Sequence, residues 1–129
     1  MTPQTEFLEL ICKTAEEHCE LASSISLEEL PPAGGLYAEL GEGFGQEMYY
    51  DKRAIRTMPV LFMCRDVDQQ RGMEQLCRIC NYLQSQKAYP QGKQISWLNA
   101  KVVKDANKIG RDEDGKFYFS CIVNCQVYF

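Results

Sequence analysis

The chain has 129 residues, 45% of them hydrophobic and 25% charged, with a formal net charge of −4. This composition excludes a disordered tail or a fibre and is typical of one globular domain, residues 1–129, large enough to bury a core. The longest apolar run is far below the roughly 18 residues that a membrane-spanning helix needs, so we expect no membrane partner. Seven cysteines, an odd number, and a start without a signal-like segment favour a reduced, cytoplasmic setting.

The charged residues divide unevenly along the chain. Residues 1–47 hold ten acids and one base, Lys13, for a net charge of −9, whereas residues 48–129 hold thirteen bases and eight acids, for +5. Because the bases are scattered in sequence, we expect no nucleic-acid recognition, which needs them clustered on one face. The division has two interpretations: an acidic helix that is merely solvated, or an acidic face that meets the basic face of another subunit.

The first predicted element is an amphipathic helix that Thr2 caps and Pro3 opens. Its apolar residues recur at three- and four-residue steps: Phe7, Leu8, Ile11, Cys12, Ala15, Cys19 and Ala22. Residues 23–35 contain paired prolines and paired glycines, which predicts a connection, with one helical turn at residues 27–30.

Short strands are predicted next. Residues 36–40 and 47–51 alternate in polarity on either side of Gly41, Gly43 and Gly45, which predicts a hairpin of strand, turn and strand. Residues 55–65 predict a strand that is apolar on both faces, and Pro59 within it indicates a local edge or a bulge, because proline cannot donate to a ladder.

A second helix is predicted to start after Asp66 or Asp68, either of which could cap it, with Gln69 placed as in a capping box, and to run to about Gln86. Its predicted apolar stripe comprises Met73, Leu76, Cys77, Ile79, Cys80 and Leu83. The side chains predicted to face water are Arg71, Glu74, Gln75, Arg78 and Gln84. This helix is therefore expected to cover one side of a sheet.

The remainder is predicted to be β structure. Residues 95–103 form one strand candidate, and a turn at residues 112–115 leads into a strand over residues 117–129, in which every second residue is apolar. The element order predicts a single α+β domain, with two helices packed on one face of a largely antiparallel or mixed β-sheet.

The cysteines raise the question of metal or redox chemistry. Cys77 and Cys80 form a CxxC motif, but the sequence has no second CxxC and no ligand-spaced histidine pair, and a redox pair would lie at a helix start rather than two turns inside it. We expect both thiols, like those of Cys12, Cys19, Cys121 and Cys125, to pack in the core. His18 is the one imidazole of the chain, and no nucleophile-bearing turn accompanies it.

The remaining motifs give no catalytic signature. The stretch from Gly41 to Gly45 lacks the lysine of a phosphate loop, and residues 112–115 lack the later ligands of a calcium loop. Acid pairs such as Glu16 and Glu20 cannot be assigned to hydrolytic chemistry from their spacing. We therefore expect a protein that is not an enzyme, with no catalytic, cofactor-binding or metal-binding residues and no cofactor.

Five segments together resemble a known family. They are residues 34–40 (GGLYAEL), 47–51 (EMYYD), 58–64 (MPVLFMC), 68–70 (DQQ) at a helix start and 79–83 (ICNYL) at its end. With the element order and length, they make the chain similar to the minor capsid or tail-terminator proteins of long-tailed bacteriophages and prophages. The chain has Lys52 where members of that family commonly place a glycine.

The resemblance implies a structural role at the head–tail junction. Proteins of that family cap the head-proximal end of the tail tube, generally as a hexameric ring, and join the tail to the head. The expected partners are then further copies of the chain, the tail-tube protein and a connector or neck protein. The expected location is the host bacterial cytoplasm during assembly and the virion afterwards. Two alternatives stay open: another neck, connector or head-completion protein, and a small cysteine-based redox or metal-binding protein.

Overall fold

The computed structural model describes residues 1–42, 44–48 and 53–129, with the backbone alone for 44–48. In chain order the elements are α1 (Pro3–His18), β1 (Ile25–Ser26), β2 (Gly35–Leu40), β3 (Phe44–Met48), β4 (Ala54–Asp66), α2 (Gln69–Ser85), β5 (Ser96–Arg111) and β6 (Phe117–Tyr128). Both helices pack on one mixed, mostly antiparallel open sheet, which confirms the predicted α+β class.

The sheet is five strands across, in the order β1-β2-β4-β6-β5. β3 pairs with the first part of β4, on the same side of β4 as β2, which pairs with its last part. β1 pairs with β2 in parallel, and all other pairs are antiparallel. β4 and β6 form the regular centre, since Ile55 to Asp66 pair one after another with Tyr128 to Phe117. The strand order therefore places β1 and β5 at opposite edges.

The predicted hairpin between residues 36–40 and 47–51 is wrong. β2 and β3 both run antiparallel to β4, with Leu40 opposite Val60 and Phe44 opposite Thr57, so the chain keeps its direction past the glycines instead of turning back. The break between β2 and β3 falls at Pro59, whose carbonyl accepts a 2.8 Å hydrogen bond from the Gly41 amide. A strand N–H and C=O point to the same side, so the donor that Pro59 lacks would have faced this break, as expected for a local edge. Residues 49–52 lie outside the described part of the chain.

α1 begins as predicted but ends at His18, four residues before Ala22. Thr2 caps its start by accepting from the Thr5 amide, and Cys19 has an extended backbone. Side chains of α2 hold the chain that follows: Arg78 donates to the Glu20 carbonyl at 2.7 Å. The Ala22 amide likewise donates to Gln75 Oε1 at 3.0 Å. These long-range hydrogen bonds compete with further turns of α1 and lead the chain into β1. The helical turn expected at residues 27–30 is not formed.

α2 is capped by Asp68, which accepts from the amides of Gln70 and Arg71. Asp66 does not form a capping box with Gln69. Its carboxylate accepts from Arg71 Nε at 2.8 Å and from Arg71 Nη2 at 2.7 Å. The prediction that Gln75 faces water is wrong, since this residue is only 3% exposed. Its side-chain amide accepts from the Ala22 amide and donates to Cys64 Sγ, and these hydrogen bonds satisfy it inside the protein.

β5 extends eight residues beyond its predicted end at Val103, because four register shifts against β6 interrupt the two-residue alternation from which strands are predicted. The turn after it is confirmed: Gly115 has φ +81° and its amide donates to the Asp112 carbonyl. β6 matches its prediction and supplies the fully buried Phe119, Cys121, Val123, Cys125 and Val127. These side chains form the centre of the core beneath both helices.

Candidate interaction surface

The seven cysteines are free thiols, and six of them are buried in the fold. Cys77 departs from the expected core position, because it is partly exposed. Burial raises the pKa of Cys12, Cys64 and Cys125 to about 12. Thiolate is the reactive form of cysteine, so these three side chains are suited to packing and not to nucleophilic chemistry at neutral pH.

The CxxC motif lies in the middle of α2, as expected, and its two thiols have different surroundings. Cys80 is buried against β6, where its side chain hydrogen-bonds with Cys121; that hydrogen bond, followed by burial, raises the pKa of Cys121. Burial also raises the pKa of Cys77. No group of three or more His, Cys, Asp or Glu side chains among the described residues could hold a metal ion.

His18 is exposed at the last turn of α1. Its ring stacks on Tyr82 of α2, with centroids 5.0 Å apart and planes 11° from parallel. The contact joins the two helices at the surface. His18 therefore has a packing partner in the ring of Tyr82.

The turn at residues 112–115 uses its carboxylate for its own structure. Asp112 Oδ1 accepts from the amides of Asp114 and Lys116, and Asp112 Oδ2 accepts from the Tyr118 hydroxyl at 3.2 Å. Side chains that fold a turn in this way are committed to the backbone. The arrangement agrees with the expectation of a hairpin turn.

A depression of about 250 Å³ lies between the connection before β2 and the start of α2. Most polar atoms of its charged groups are paired: Arg71 with Asp66, and the Nη atoms of Arg65 with the Pro32 carbonyl at 3.1 Å and the Tyr118 hydroxyl. The buried Arg65 Nε makes no hydrogen bond to a described residue and lies 3.9 Å from Asp112 Oδ2. These pairs hold the connection against the sheet, so the depression has a structural explanation in its own residues. Neither helix in the described part of the chain is long and apolar enough to span a membrane.

The sheet face opposite the helices carries half-buried apolar side chains at its centre. Leu61 and Met63 of β4 lie beside Ile122 of β6 and Tyr37 of β2. Within the described residues no helix covers this face. Polar residues surround the centre, including Glu39 on the β2 side and Lys101 on the β5 side.

One edge of the sheet is acidic. β1 and β2 form it, and residues 20–42, which contain both strands, hold five acids and no base. Glu28, Glu29, Glu39 and Glu42 are exposed. Leu27, just after β1, is also 37% exposed and is followed in the chain by Glu28 and Glu29.

The opposite edge is basic. β5 carries Lys101, Lys104, Lys108 and Arg111 against the single acid Asp105, and all five are exposed. Among the described residues, Lys101 and Lys104 make no ion pair, whereas Lys108 donates to Gln69 Oε1 at 3.2 Å. The division seen along the sequence is therefore also a division in space, between two edges of one sheet.

Sequence reasoning found the charge division but not the edges that carry it. Which strands are outermost depends on the order β1-β2-β4-β6-β5, in which β6 follows β5 along the chain yet lies between β4 and β5. The bases at residues 101–111 are the available signal for the basic edge. The sequence pattern predicts a strand only as far as Val103, so most of these bases fall outside any predicted element. In comparisons with known proteins, no family model matches this chain and no curated protein matches it.

Proposed function

We propose that this protein is a structural subunit of a long-tailed bacteriophage or prophage, which caps the head-proximal end of the tail tube as a homo-oligomeric ring and helps to join tail to head. The resemblance of residues 34–40, 47–51, 58–64, 68–70 and 79–83 to minor capsid and tail-terminator proteins supports this role. The α+β class of the chain agrees with the class that the resemblance implies, although the hairpin expected at residues 36–51 is not formed between β2 and β3. Its partners would be further copies, the tail-tube protein and a neck protein.

The observation that carries the proposal is the opposite charge of the two outer edges of one sheet. An isologous dimer pairs a surface with itself, and like charges would then meet. An acidic edge that meets the basic edge of the next copy gives a head-to-tail contact, and repeated head-to-tail contacts form a ring where the rotation between copies closes and an open filament where it does not. The distribution of charge thus favours head-to-tail assembly, of which a ring is the closed form, over a two-fold dimer through these edges.

The surroundings of the thiols favour this role over the cysteine-based alternative. Cys80 and Cys121 contact each other in the core, and Cys12, Cys64 and Cys125 have pKa values of about 12. A redox pair needs a thiolate that solvent can reach. We therefore propose a function that acts through surfaces and not through thiol chemistry.

Electron microscopy of the purified protein, alone and mixed with tail-tube protein, tests the proposal. We expect rings with a central hole, formed by the protein itself or driven by tube protein, and tubes that stop growing once one end is capped. Tube protein with an unrelated protein of similar charge is the control. A strict monomer that binds no tube protein at any ionic strength would refute the proposal. Binding to a neck protein without capping of tubes would favour the connector alternative.

A further inference from the structure

The outer strand β5 exposes aliphatic side chains in an unusual pattern. Leu98, Val103 and Ile109 are 46%, 50% and 50% exposed. Each of them lies at a position where the pairing of β5 with β6 shifts by one residue. The shifts fall between residues 97 and 99, 102 and 104, and 108 and 110. Every one of these three bulges thus places one extra residue on the edge strand, and that residue is aliphatic.

Bulges and lysines on an edge strand are a common protection against uncontrolled strand pairing. That role explains the bulges and the bases of β5, but it does not explain Leu98, Val103 and Ile109, since polar residues at the same positions would protect the edge better. Burial of a large aliphatic side chain is favourable, so three of them along one strand are suited to contact with another surface. The interruptions in the ladder indicate that the contact is made by side chains and not by addition of a strand.

The surface that complements β5 is present on the chain itself. At the opposite edge of the sheet, the exposed Leu27 is followed by the exposed Glu28 and Glu29. This segment combines an aliphatic side chain with two carboxylates, and β5 combines aliphatic side chains with Lys101 and Lys104. The middle of β5, where Val103 lies between Lys101 and Lys104, therefore matches this segment in its apolar side chain and in the sign of its charges.

We infer that β5 of one copy docks against residues 27–29 of the next copy, with Val103 against Leu27 and the flanking Lys101 and Lys104 beside Glu28 and Glu29. The two surfaces lie at opposite edges of the sheet, so one copy cannot bring its own together, and each copy can bind two neighbours. The inference rests on the proposed function, because it assumes that the partner bound at β5 is a second copy of this chain. It goes further by naming the residues of the subunit contact.

A charge-exchange experiment tests the contact. One variant carries Lys101→Glu and Lys104→Glu, and a second carries Glu28→Lys and Glu29→Lys. In each variant alone, like charges meet across every contact, and we expect self-association measured by analytical ultracentrifugation to weaken about tenfold or more. In an equimolar mixture, alternating copies again place opposite charges together, so we expect association to return. Failure of the mixture to recover, with both variants folded by circular dichroism, would refute the contact.

A second set of variants tests the aliphatic part. The triple variant Leu98→Ser, Val103→Ser, Ile109→Ser removes the exposed aliphatics of β5, and we expect it to lose self-association while its far-ultraviolet spectrum is unchanged. Val67→Ser is the matched control, because Val67 is 60% exposed but lies between β4 and α2, outside β5. Equal association of the triple variant and the control would overturn the inference.

The outcomes separate this inference from the proposed function. A wild-type protein that stays monomeric at every concentration and with tube protein would overturn both. Rings that cap tubes but are unaffected by the β5 variants would overturn the inference and leave the function standing. Association that depends on β5 and residues 27–29, in a protein that does not bind tube protein, would support the inference and refute the function.

Discussion

Asp66 and Arg71 form a two-bond ion pair at the junction of β4 and α2. Asp66 is 7% exposed, its carboxylate accepts from Arg71 Nε and Nη2, and the Asp68 amide donates to it at 2.9 Å. The hydrogen bonds from Arg71 hold the pKa of Asp66 below its ordinary value of 3.8. A carboxylate whose pKa is lowered by folding stabilises the fold above its unfolded-state pKa, and this contribution is lost as the pH falls through the folded-state pKa.

We therefore expect Asp66→Asn to lower the free energy of unfolding at pH 7 by about 1 to 2 kcal/mol, since Arg71 is itself half exposed and a charged hydrogen bond at such a site is worth roughly this much. The difference from wild type should shrink as the pH falls below 3.8 and through the lower folded-state pKa of Asp66, because the carboxylate of the wild type then becomes protonated. Urea denaturation at pH 7 and at a series of pH values below 3.8 measures this difference. Asp105→Asn, at an exposed position of β5, is the control, and a penalty for Asp66→Asn that is undiminished at low pH would contradict the pairing.

Single residues were predictable from the sequence where one local pattern decides their position. The burial of Cys12, Cys80 and Cys121 follows from helical and strand periodicity, and the structure confirms it. Gln75 was not predictable, because its burial depends on the amide of Ala22, which lies far away in the chain. A polar side chain enters the core when a distant backbone group satisfies it, and periodicity carries no information about that partner.

At the scale of elements, α2 packs closely on the sheet at Gly72. A Cβ atom added at Gly72 would lie 2.6 Å from Cε2 and 2.9 Å from Cδ2 of Phe119, whose ring is fully buried. Glycine in a helix interior normally costs about 1 kcal/mol relative to alanine, but here the absent side chain lets the helix approach β6. Gly72 thus sets the distance between α2 and the sheet.

We expect Gly72→Ala to destabilise the protein by about 1 to 3 kcal/mol, because the ring of Phe119 has to move within a packed core. Gly110→Ala is the matched control, since no atom lies within 4 Å of a Cβ at that position. Thermal or urea unfolding followed by circular dichroism measures both variants. A Gly72→Ala protein as stable as wild type would show that the helix can shift without cost.

The elements themselves were predictable to the extent that their patterns are regular. α2, β4 and β6 combine clear periodicity with identifiable starts, and their observed bounds lie close to the predicted ones. β5 was predicted short, because each bulge moves the following residues to the other face of the strand and removes the alternation. The glycines between β2 and β3 were interpreted as a turn, although the register requires a continuing, interrupted edge strand.

At the scale of the whole molecule, the charge separation predicts how association responds to salt. Surface charges more than a Debye length apart are screened, and this length falls from about 10 Å at 0.1 M salt to about 3 Å at 1 M. We expect self-association to weaken steadily as NaCl is raised from about 50 mM to about 500 mM, measured by light scattering. The charge-exchanged mixture should show the same dependence as wild type. Association that strengthens with salt would indicate a contact dominated by apolar surface.

The position of β6 has a consequence for synthesis of the protein. β6 follows all the other strands in chain order but is the strand that joins β4 to β5. While a ribosome is still making the residues that precede β6, β4 exposes the backbone edge that Tyr128 to Phe117 will later occupy. The nascent chain then presents a long, apolar strand with one unpaired edge, and such edges promote aggregation. Productive folding of this domain therefore has to wait for β6, and a chaperone that shields β4 until then would raise the yield of soluble protein.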